Sequence, residues 1–531
     1  MKMSVEEKLE KPVELDDVLH KFSVTQKYYV GFGILLSIAF ATNSFTCTHF
    51  VFAADYVQYK CHNSIGQCNK NSPANVTFDH QFDQQCYARV PLDEAATCFE
   101  VNQSKLVPCN DWVYENPDSF VGEFQLACQE WKRTLVGTMH SFGYMLGLLI
   151  VGPISDRIGR KKALIMTGVL GGVLGLARSF ATNYWLYIVL EMAEAAIGDI
   201  CSPAFMLGIE IVSARDRAKF FMVTQLGYPI GGLSLVLFAW LFPYFRTFLR
   251  VIYAPSLLFI LYAYLIDESP RWLLTKGRKE EAVKILENAA KTNKIVLEKS
   301  LLENLTCEKE DKSAEIGYVA LLKSTFASRV LLQRFLICVV WWSTCTFVSY
   351  GLAINSVLWG GNKYMNYAFM TMIDIPASFV MGFVLIKFKR KKPLIVAFSC
   401  AGLFLLMQPF LPLDMTWLSI VFFLVGKFMT SIFFNITYVF TSELFPTYTR
   451  NSMHALCSSL GRIGSILAPQ TPLLMTYWVG LPSILFGSAS LIAAIVTLFV
   501  PDTADDSLPD TVHQAEFVGI KMDEKKKTMK S

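Results

Sequence analysis

The sequence predicts an all-α polytopic membrane protein with twelve transmembrane helices in two six-helix pseudo-repeats. Of its 531 residues, 53% are hydrophobic and only 17% are charged, and the mean hydropathy is +0.38. A soluble globular protein of this size needs more polar surface than that. Twelve apolar runs have roughly the 20 residues that cross a bilayer as a helix, and short motifs of the first half recur in the second.

The apolar runs form two groups of six, separated by a polar segment. They are residues 30–52, 134–154, 163–182, 184–209, 218–242 and 248–266, then 331–354, 364–386, 393–411, 416–440, 452–475 and 480–500. The first run is too long for the apolar part of a secretory signal peptide, so we expect it to remain as a span. Lys and Arg are concentrated in alternate connections, including 157–162 and 387–392, which predicts that both termini are cytoplasmic.

This topology divides the chain into seven regions. We expect a cytoplasmic N-terminus (1–29), the first transmembrane helix (30–52), an extracellular loop (53–133), transmembrane helices 2–6 (134–266), a cytoplasmic connector (267–330), transmembrane helices 7–12 (331–500) and a cytoplasmic C-terminal tail (501–531).

The loop 53–133 has the composition of an extracellular segment. It contains six of the thirteen cysteines: Cys61, Cys68, Cys86, Cys98, Cys109 and Cys128. Because none of them has the paired C-x-x-C spacing of a zinc site, we favour disulfides, whose pairing the sequence leaves open. Asn75 and Asn102 begin glycosylation sequons in the same loop.

The repeat is visible in three places. Lys161-Lys-Ala-Leu-Ile recurs as Lys391-Lys-Pro-Leu-Ile, 391 − 161 = 230 positions later. Glu210 and Arg217 recur as Glu443 and Arg450, 443 − 210 = 233 positions later. Glu268 has a weaker counterpart in Asp502, 502 − 268 = 234 positions later. In transporters built from two repeats, the substrate site lies at the repeat interface near mid-membrane.

Ionisable residues inside the apolar runs are the best pointers to such a site. Asp374, Lys427, Arg462, Glu191 and Glu194 each cost at least about 2.5 kcal/mol in the membrane, so each should face a cavity or a charged partner. For Lys427 and Glu191 the two alternatives remain equal. For Asp374 and Arg462 we favour the cavity, because hydroxyl-bearing residues share their helix faces.

Helical spacing adds further candidates for a substrate-binding cavity. The C-terminal half would contribute Trp342 and Tyr438, and the N-terminal half Gln225 and Tyr228 together with Glu194. A cavity with both signs of charge can bind a carboxylate through Arg462 and a cation through Asp374 and nearby aromatic rings. This chemistry suits a zwitterion.

Several motifs resemble the organic cation, anion and zwitterion transporters, solute carrier family 22 of the major facilitator superfamily. They are GPISDRIGRKK at 152–162, DESPRWLL at 267–274, TSELFPTYTRN at 441–451 and GRIGSILAP at 461–469. The resemblance implies the major facilitator fold and the plasma membrane. It also implies a cytoplasmic gating network of Asp156, Arg157, Arg160, Glu210, Arg217, Glu268, Arg271, Glu443 and Arg450.

The same resemblance bears on substrate charge. Arg462 matches the arginine of the anion and carnitine branches, Asp374 an acid of the eighth helix, and Trp342 an aromatic lining position. Anion carriers have a lysine where this chain has Ser378. Glu191 lies beside the position of the family's usual arginine. We therefore expect a polyspecific carrier of small organic cations or zwitterions that works by alternating access. An organic anion exchanger and a transport-inactive receptor or adhesion protein are the alternatives.

Other classes of function lack their sequence signatures. No P-loop is present, and none of the seven histidines has metal-ligand spacing or belongs to a nucleophile arrangement. We expect no enzymatic activity, cofactor, metal or nucleic-acid partner, and a monomeric transport unit in the lipid bilayer. The sequence leaves sodium or proton coupling open.

Overall fold

The computed structural model describes residues 15–61, 86–91, 104–213, 215–298, 301–302, 305, 326–358, 361–388, 390–412, 415–445, 450–502 and 516. These residues form a nearly all-helical protein with two small antiparallel ribbons.

Six long helical units form the N-terminal half, and we name them spans 1–6. Span 1 comprises Lys27–Thr48 and Phe50–Ala53, span 2 Glu130–Ile158, span 3 Arg160–Arg178, span 4 Tyr184–Ile197 and Cys201–Ile211, span 5 Arg217–Gln225 and Gly227–Leu241, and span 6 Phe245–Tyr253, the 3₁₀ turn Ala254–Leu261 and Tyr262–Leu265. Short helices outside the spans are Leu15–Leu19, Phe120–Glu123, Pro270–Thr275 and Lys279–Asn293.

Six further units, spans 7–12, form the C-terminal half. Span 7 is Arg329–Ser356, span 8 Lys363–Met372 and Asp374–Lys387, span 9 Lys391–Met407 with the 3₁₀ turn Gln408–Phe410, span 10 Thr416–Glu443, span 11 Arg450–Leu467 with the 3₁₀ turn Ala468–Gln470 and Thr471–Leu474, and span 12 Leu481–Thr497. Within the described chain, nine of the twelve spans are long and apolar enough to cross a membrane by length and composition. Spans 3, 11 and 12, which are shorter or less apolar, bring the number of described spans to twelve.

The spans run alternately up and down, so the molecule has two ends. We call the end where span 1 leads into residues 54–129 the loop end, and the end with residues 266–328 the connector end. The turn between spans 2 and 3 at the connector end is a single residue, Gly159, with φ +104°. The charged stretch 152–162 is therefore mostly helical, and only glycine adopts this backbone conformation without strain.

The loop folds partly against the loop end. Strand β1 (Tyr59–Cys61) pairs antiparallel with β4 (Trp112–Tyr114), and β2 (Tyr87–Pro91) with β3 (Ser104–Pro108). Cys86 and Cys128 form a disulfide, and Cys109 is also disulfide-bonded. Cys68, Cys98, Asn75 and Asn102 lie outside the described residues.

Both halves contain the same ion pair at the connector end. Arg160 at the start of span 3 lies 3.0 Å from Glu210 of span 4, and Arg390, next to span 9, lies 3.2 Å from Glu443 of span 10. These two pairs occupy corresponding places in the sequence repeat. The repeat therefore preserves an ion pair between the beginning of the third span and the fourth span of each half.

An acidic side chain also caps the third helix of each half. Glu268 accepts a hydrogen bond from the backbone N–H of Lys161 at 3.0 Å, and Asp502 accepts one from the N–H of Arg390 at 3.3 Å. An acid is favourable there because the first N–H groups of a helix have no partner within the helix and carry partial positive charge.

Candidate functional site

The acid of span 8 pairs with the lysine of span 10. Lys427 Nζ lies 2.9 Å from Asp374 Oδ1, and the side chains are 9% and 27% exposed. The Ser431 hydroxyl also donates to Asp374. Asp374 begins the second helix of span 8, just after the break at Ile373. Pro376 lacks the N–H that would continue the first helix, which accounts for the break. The structure thus combines the two alternatives for Asp374, since it is both paired and partly accessible.

Arg462 of span 11 reaches from the C-terminal half to the N-terminal half. Its guanidinium lies over the ring of Tyr144 in span 2, 4.6 Å from the ring centre, and donates to the Tyr350 hydroxyl at 3.2 Å. Its Nε has no hydrogen-bond partner among the described residues, and no described carboxylate forms an ion pair with it. Arg462 therefore keeps capacity to bind an anionic group.

A break in span 4 lies opposite this arginine. The second helix of span 4 begins at Cys201, and Asp199 caps it by accepting hydrogen bonds from the N–H groups of Cys201 and Ser202 at 3.1 and 3.3 Å. The Tyr144 hydroxyl lies 3.5 Å from Asp199, and Asp199 interacts electrostatically with Arg462. Asp199 is 1% exposed. Sequence reasoning did not place Asp199 in the site.

The aromatic candidates divide between two places. Tyr228 of span 5 interacts with Asp374 and with Tyr350 and Tyr367, so it belongs to the region between the halves. Trp342 is buried inside the C-terminal half, where its Nε1 donates to Thr441 at 3.1 Å. Its ring packs against that of Tyr438, 5.5 Å away.

The two remaining candidates for the cavity lining are Tyr438 and Gln225. Tyr438 is 41% exposed and contacts Phe205 of span 4, with 6.4 Å between the ring centres. Gln225 is partly buried at the break of span 5.

Glu194 does not lie with the other candidates. The sequence predicts that it faces the cavity, but it is fully buried inside the N-terminal half beside Glu191. Arg178 at the end of span 3 accounts for the difference: it forms an ion pair with Glu191 and lies 3.6 Å from Glu194. Sequence reasoning missed Arg178, although its position inside the third apolar run was a signal of a buried partner.

The predicted gating residues gather at the connector end, within their own halves. Arg160 bonds both Asp156 and Glu210, at 2.5 and 3.0 Å. The Asp156 side chain is 68% exposed, and its carbonyl accepts a hydrogen bond from Trp272. Arg157 is exposed.

The other basic residues of the predicted network have diverse partners. Arg217 donates to the carbonyl of Ile209 at 3.0 Å, and Arg271 pairs with Asp16 at 3.0 Å. Arg450 begins span 11. Every ion pair described above for this network joins elements of one half.

At the loop end, by contrast, the halves contact each other directly. Lys363 of span 8 forms an ion pair with Asp55, which follows span 1. Thr134 of span 2 donates to Gln470 of span 11 at 3.1 Å, and Gln470 donates to Thr138 at 2.6 Å. We call these residues the loop-end latch. No motif of the sequence pointed to them.

The structure also resembles solved transporters. The xylose transporter XylE from E. coli in its inward open conformation superposes with a TM-score of 0.57 at 19% identity, covering 72% of this chain and 88% of that one. Its partially occluded inward open conformation gives a TM-score of 0.59 at 15% identity, covering 91% and 100%. At these identities the likeness concerns the fold, and it confirms the predicted fold class.

Sequence comparison identifies the family. The model of the "Sugar (and other) transporter" family matches residues 89–511. The "Organic cation transporter protein" of Drosophila melanogaster is 32% identical, over 78% of this chain and 77% of that one. "Solute carrier family 22 member 1" of Bos taurus is 32% identical over 77% and 73%, and the human "Organic cation/carnitine transporter 2" 32% identical over 75% and 71%. The chain belongs to solute carrier family 22, a family of membrane transporters within the sugar and other transporters.

Proposed function

We propose that this protein is a polyspecific carrier of small organic cations or zwitterions, such as quaternary amines and carnitine-like compounds. It works by alternating access in the plasma membrane, with both termini cytoplasmic. One of its relatives is named for organic cations and another for organic cations and carnitine. The connector end is then the cytoplasmic end and the loop end the extracellular one.

The observation that carries this proposal is the pair of charged groups at the interface between the halves. Arg462 has unused hydrogen-bonding capacity, and a guanidinium binds carboxylates with two parallel hydrogen bonds. Asp374 is partly exposed beside Tyr228 and Tyr367. An ammonium group of the substrate would compete with Lys427 for this carboxylate and would lie close to aromatic rings.

The contacts at the two ends fit alternating access. The loop-end latch closes one entrance by joining the halves, whereas the pairs at the connector end stiffen each half separately. When the latch opens, the halves rock around the site, and new contacts between them must form at the connector end.

Uptake by cells expressing the protein tests the proposal. Labelled tetraethylammonium, carnitine and an aromatic carboxylate without an amine would be supplied separately, with the Arg462→Ala/Asp374→Asn double variant as the control and uptake expressed per molecule at the cell surface. We expect saturable uptake of one or both of the first two solutes. Uptake of the aromatic carboxylate alone would contradict the proposal, and no flux of any solute would favour the transport-inactive receptor.

An organic anion exchanger is the second candidate, and one observation favours it. Because Lys427 already neutralises Asp374, Arg462 remains at the interface as a cation without an ion pair to any described carboxylate, although Asp199 interacts with it electrostatically. In an exchanger, aromatic carboxylate uptake would rise when the cells are preloaded with a second carboxylate, and tetraethylammonium would neither enter nor compete.

A further inference from the structure

The N-terminal half contains a second group of ionisable side chains, which the proposed function does not use. His49 Nε2 and His140 Nδ1 lie 3.1 and 3.0 Å from Glu191 Oε1, and Arg178 forms an ion pair with the other oxygen of this carboxylate. Glu194 completes the group, 3.9 Å from His140. We call these five residues the buried cluster. They come from spans 1, 2, 3 and 4, and all are at most 5% exposed.

The two acids of the buried cluster have unequal surroundings. Glu191 is within bonding distance of three cationic or polar nitrogens. Glu194 has a longer ion-pair contact with Arg178, at 3.6 Å. Neither of its oxygens has a hydrogen-bond partner among the residues that the structure describes, although the Tyr253 hydroxyl lies nearby. A buried carboxylate without hydrogen bonds is costly when ionised and much less so when protonated.

The net charge of the buried cluster also indicates that Glu194 is protonated. Glu191 and Glu194 contribute −2, Arg178 contributes +1 and neutral imidazoles contribute 0, so the ionised cluster has a net charge of −1. One additional proton brings it to zero, the state that a low-dielectric interior favours. The other titratable or charged groups around it are Cys47, Tyr187 and Tyr253, and Arg246, which is paired with Glu123, lies beside Tyr187.

A metal ion is a poorer fit to the same atoms. His49, His140 and Glu191 do offer three ligand atoms within 4.8 Å of one another. A divalent cation, however, would raise the net charge from −1 to +1 and would compete with Arg178 for Glu191. A proton adds one charge and requires no ligand to move.

The buried cluster is also connected to the site between the halves. The N–H of Gly198 donates to the carbonyl of Glu194 at 2.7 Å, which ends the first helix of span 4. Asp199 follows immediately and interacts with Arg462 across the interface. Glu194 therefore lies in the last turn of this helix, five residues before Asp199 in the chain.

We propose that Glu194 binds a proton that is transported together with the solute, and that His140 passes this proton to and from Glu194. The inference rests on the proposed function, since it names the coupling ion of that carrier. The proton enters from water when the interface is open, neutralises Glu194, and leaves to water on the opposite side after the halves have rocked. No bond other than O–H or N–H forms or breaks.

Two measurements on purified full-length protein test the proton site. In proteoliposomes with the membrane potential clamped at zero, a tenfold inward proton gradient should drive accumulation of tetraethylammonium or carnitine in the wild type, with a limit of about tenfold for one proton per solute. Uptake by Glu194→Gln should be independent of the gradient. Glu194→Asp should retain the response, as should the control Glu115→Gln, which changes an exposed acid of the loop.

The second measurement needs no substrate. A folded state that holds one more proton than the unfolded state loses stability as the pH rises and that proton leaves. The Tm of the wild type and of Glu115→Gln should therefore fall with rising pH more steeply than that of Glu194→Gln. Parallel pH profiles in all three proteins would overturn the proposal.

Further outcomes separate the alternatives. A rise in wild-type Tm on adding Zn²⁺, absent in His140→Ala, would overturn the proton site in favour of a metal site. Accumulation driven by a sodium gradient and insensitive to the proton gradient would overturn it as well. If the wild type carries none of the solutes, the proposed function fails, while the Tm profiles still decide whether Glu194 holds a proton.

Discussion

At the scale of single residues, the charges at the interface have different tasks. Arg462 is held by a tyrosine face and a tyrosine hydroxyl, neither of which neutralises it. Lys427, in contrast, is neutralised by Asp374. Arg462 is thus available to bind an anionic group of a ligand. A cationic ligand must instead displace Lys427 from Asp374.

Replacing Arg462 by Lys should discriminate between substrates. A lysine keeps the charge but loses the planar pair of donors that matches a carboxylate. We expect KM to rise about tenfold for carnitine, because hydrogen bonds to charged groups contribute about 1.5–3 kcal/mol. Tetraethylammonium has no carboxylate and is the control. Equal rises in KM for both solutes would assign Arg462 a packing role.

Replacing Asp374 by Asn should affect folding and transport separately. The single variant leaves Lys427 buried without its partner, which costs about 3–5 kcal/mol, so its amount at the cell surface should fall. Lys427→Met in the same chain removes the unpaired charge and should restore that amount. Tetraethylammonium uptake per surface molecule should remain low in the double variant. Surface biotinylation beside uptake measures both, and normal uptake in the double variant would remove Asp374 from the site.

At the scale of elements, glycines determine how closely the spans pack. A Cβ on Gly147 of span 2 would lie 2.8 Å from the carbonyl oxygen of Ala196 in span 4. A Cβ on Gly31 of span 1 would meet no atom within 4 Å. Gly147 therefore permits a close approach of two helices, of the kind that small residues allow in membranes. Among the described residues, no neighbouring helix packs against Gly31.

Gly147→Ala should destabilise the protein, and Gly31→Ala should not. Overpacking of this kind costs about 1–3 kcal/mol, whereas alanine in a free helical position gains about 0.8–1 kcal/mol over glycine. We expect the Tm of the first variant in detergent to fall and that of the second to stay equal or to rise. Equal Tm values for both variants would mean that spans 2 and 4 can separate without cost.

These elements also show how far the sequence leads. Run length anticipates the helical spans, and the offset repeat anticipates that Glu210 and Glu443 occupy corresponding positions. Their pairing with Arg160 and Arg390 is seen only in the structure. Periodicity cannot tell which of several polar faces of a span meets a neighbour. For this reason Glu194 was expected in the cavity, and the histidines of the buried cluster were not recognised as its neighbours.

At the scale of the whole molecule, the ion pair and hydrogen bonds of the loop-end latch join the halves among the described residues. The latch combines the partly exposed Asp55–Lys363 ion pair with the hydrogen bonds of Gln470. Partly exposed ion pairs contribute little, about 0.2–1 kcal/mol. A weak latch is suitable for a carrier, since it must open in every transport cycle.

Reversing the ion pair should shift the balance between the two states of the carrier. Asp55→Lys places two positive charges together and should favour opening at the loop end. A cysteine introduced at Thr134 should then react about two- to fivefold faster with an impermeant maleimide. Adding Lys363→Asp restores an attractive pair and should return the rate to that of the protein with Asp55 and Lys363 intact. An unchanged rate in Asp55→Lys would show that the pair does not hold the halves together.

The duplicated ion pair at the connector end has a consequence for biosynthesis. The first copy, with its capping acid, is complete once Glu268 has been synthesised, some sixty residues before the first residue of span 7. None of its members waits for a partner from the second half. The N-terminal half can therefore consolidate in the membrane while the ribosome is still translating the connector, and spans 7–12 then assemble beside a neighbour that is already folded.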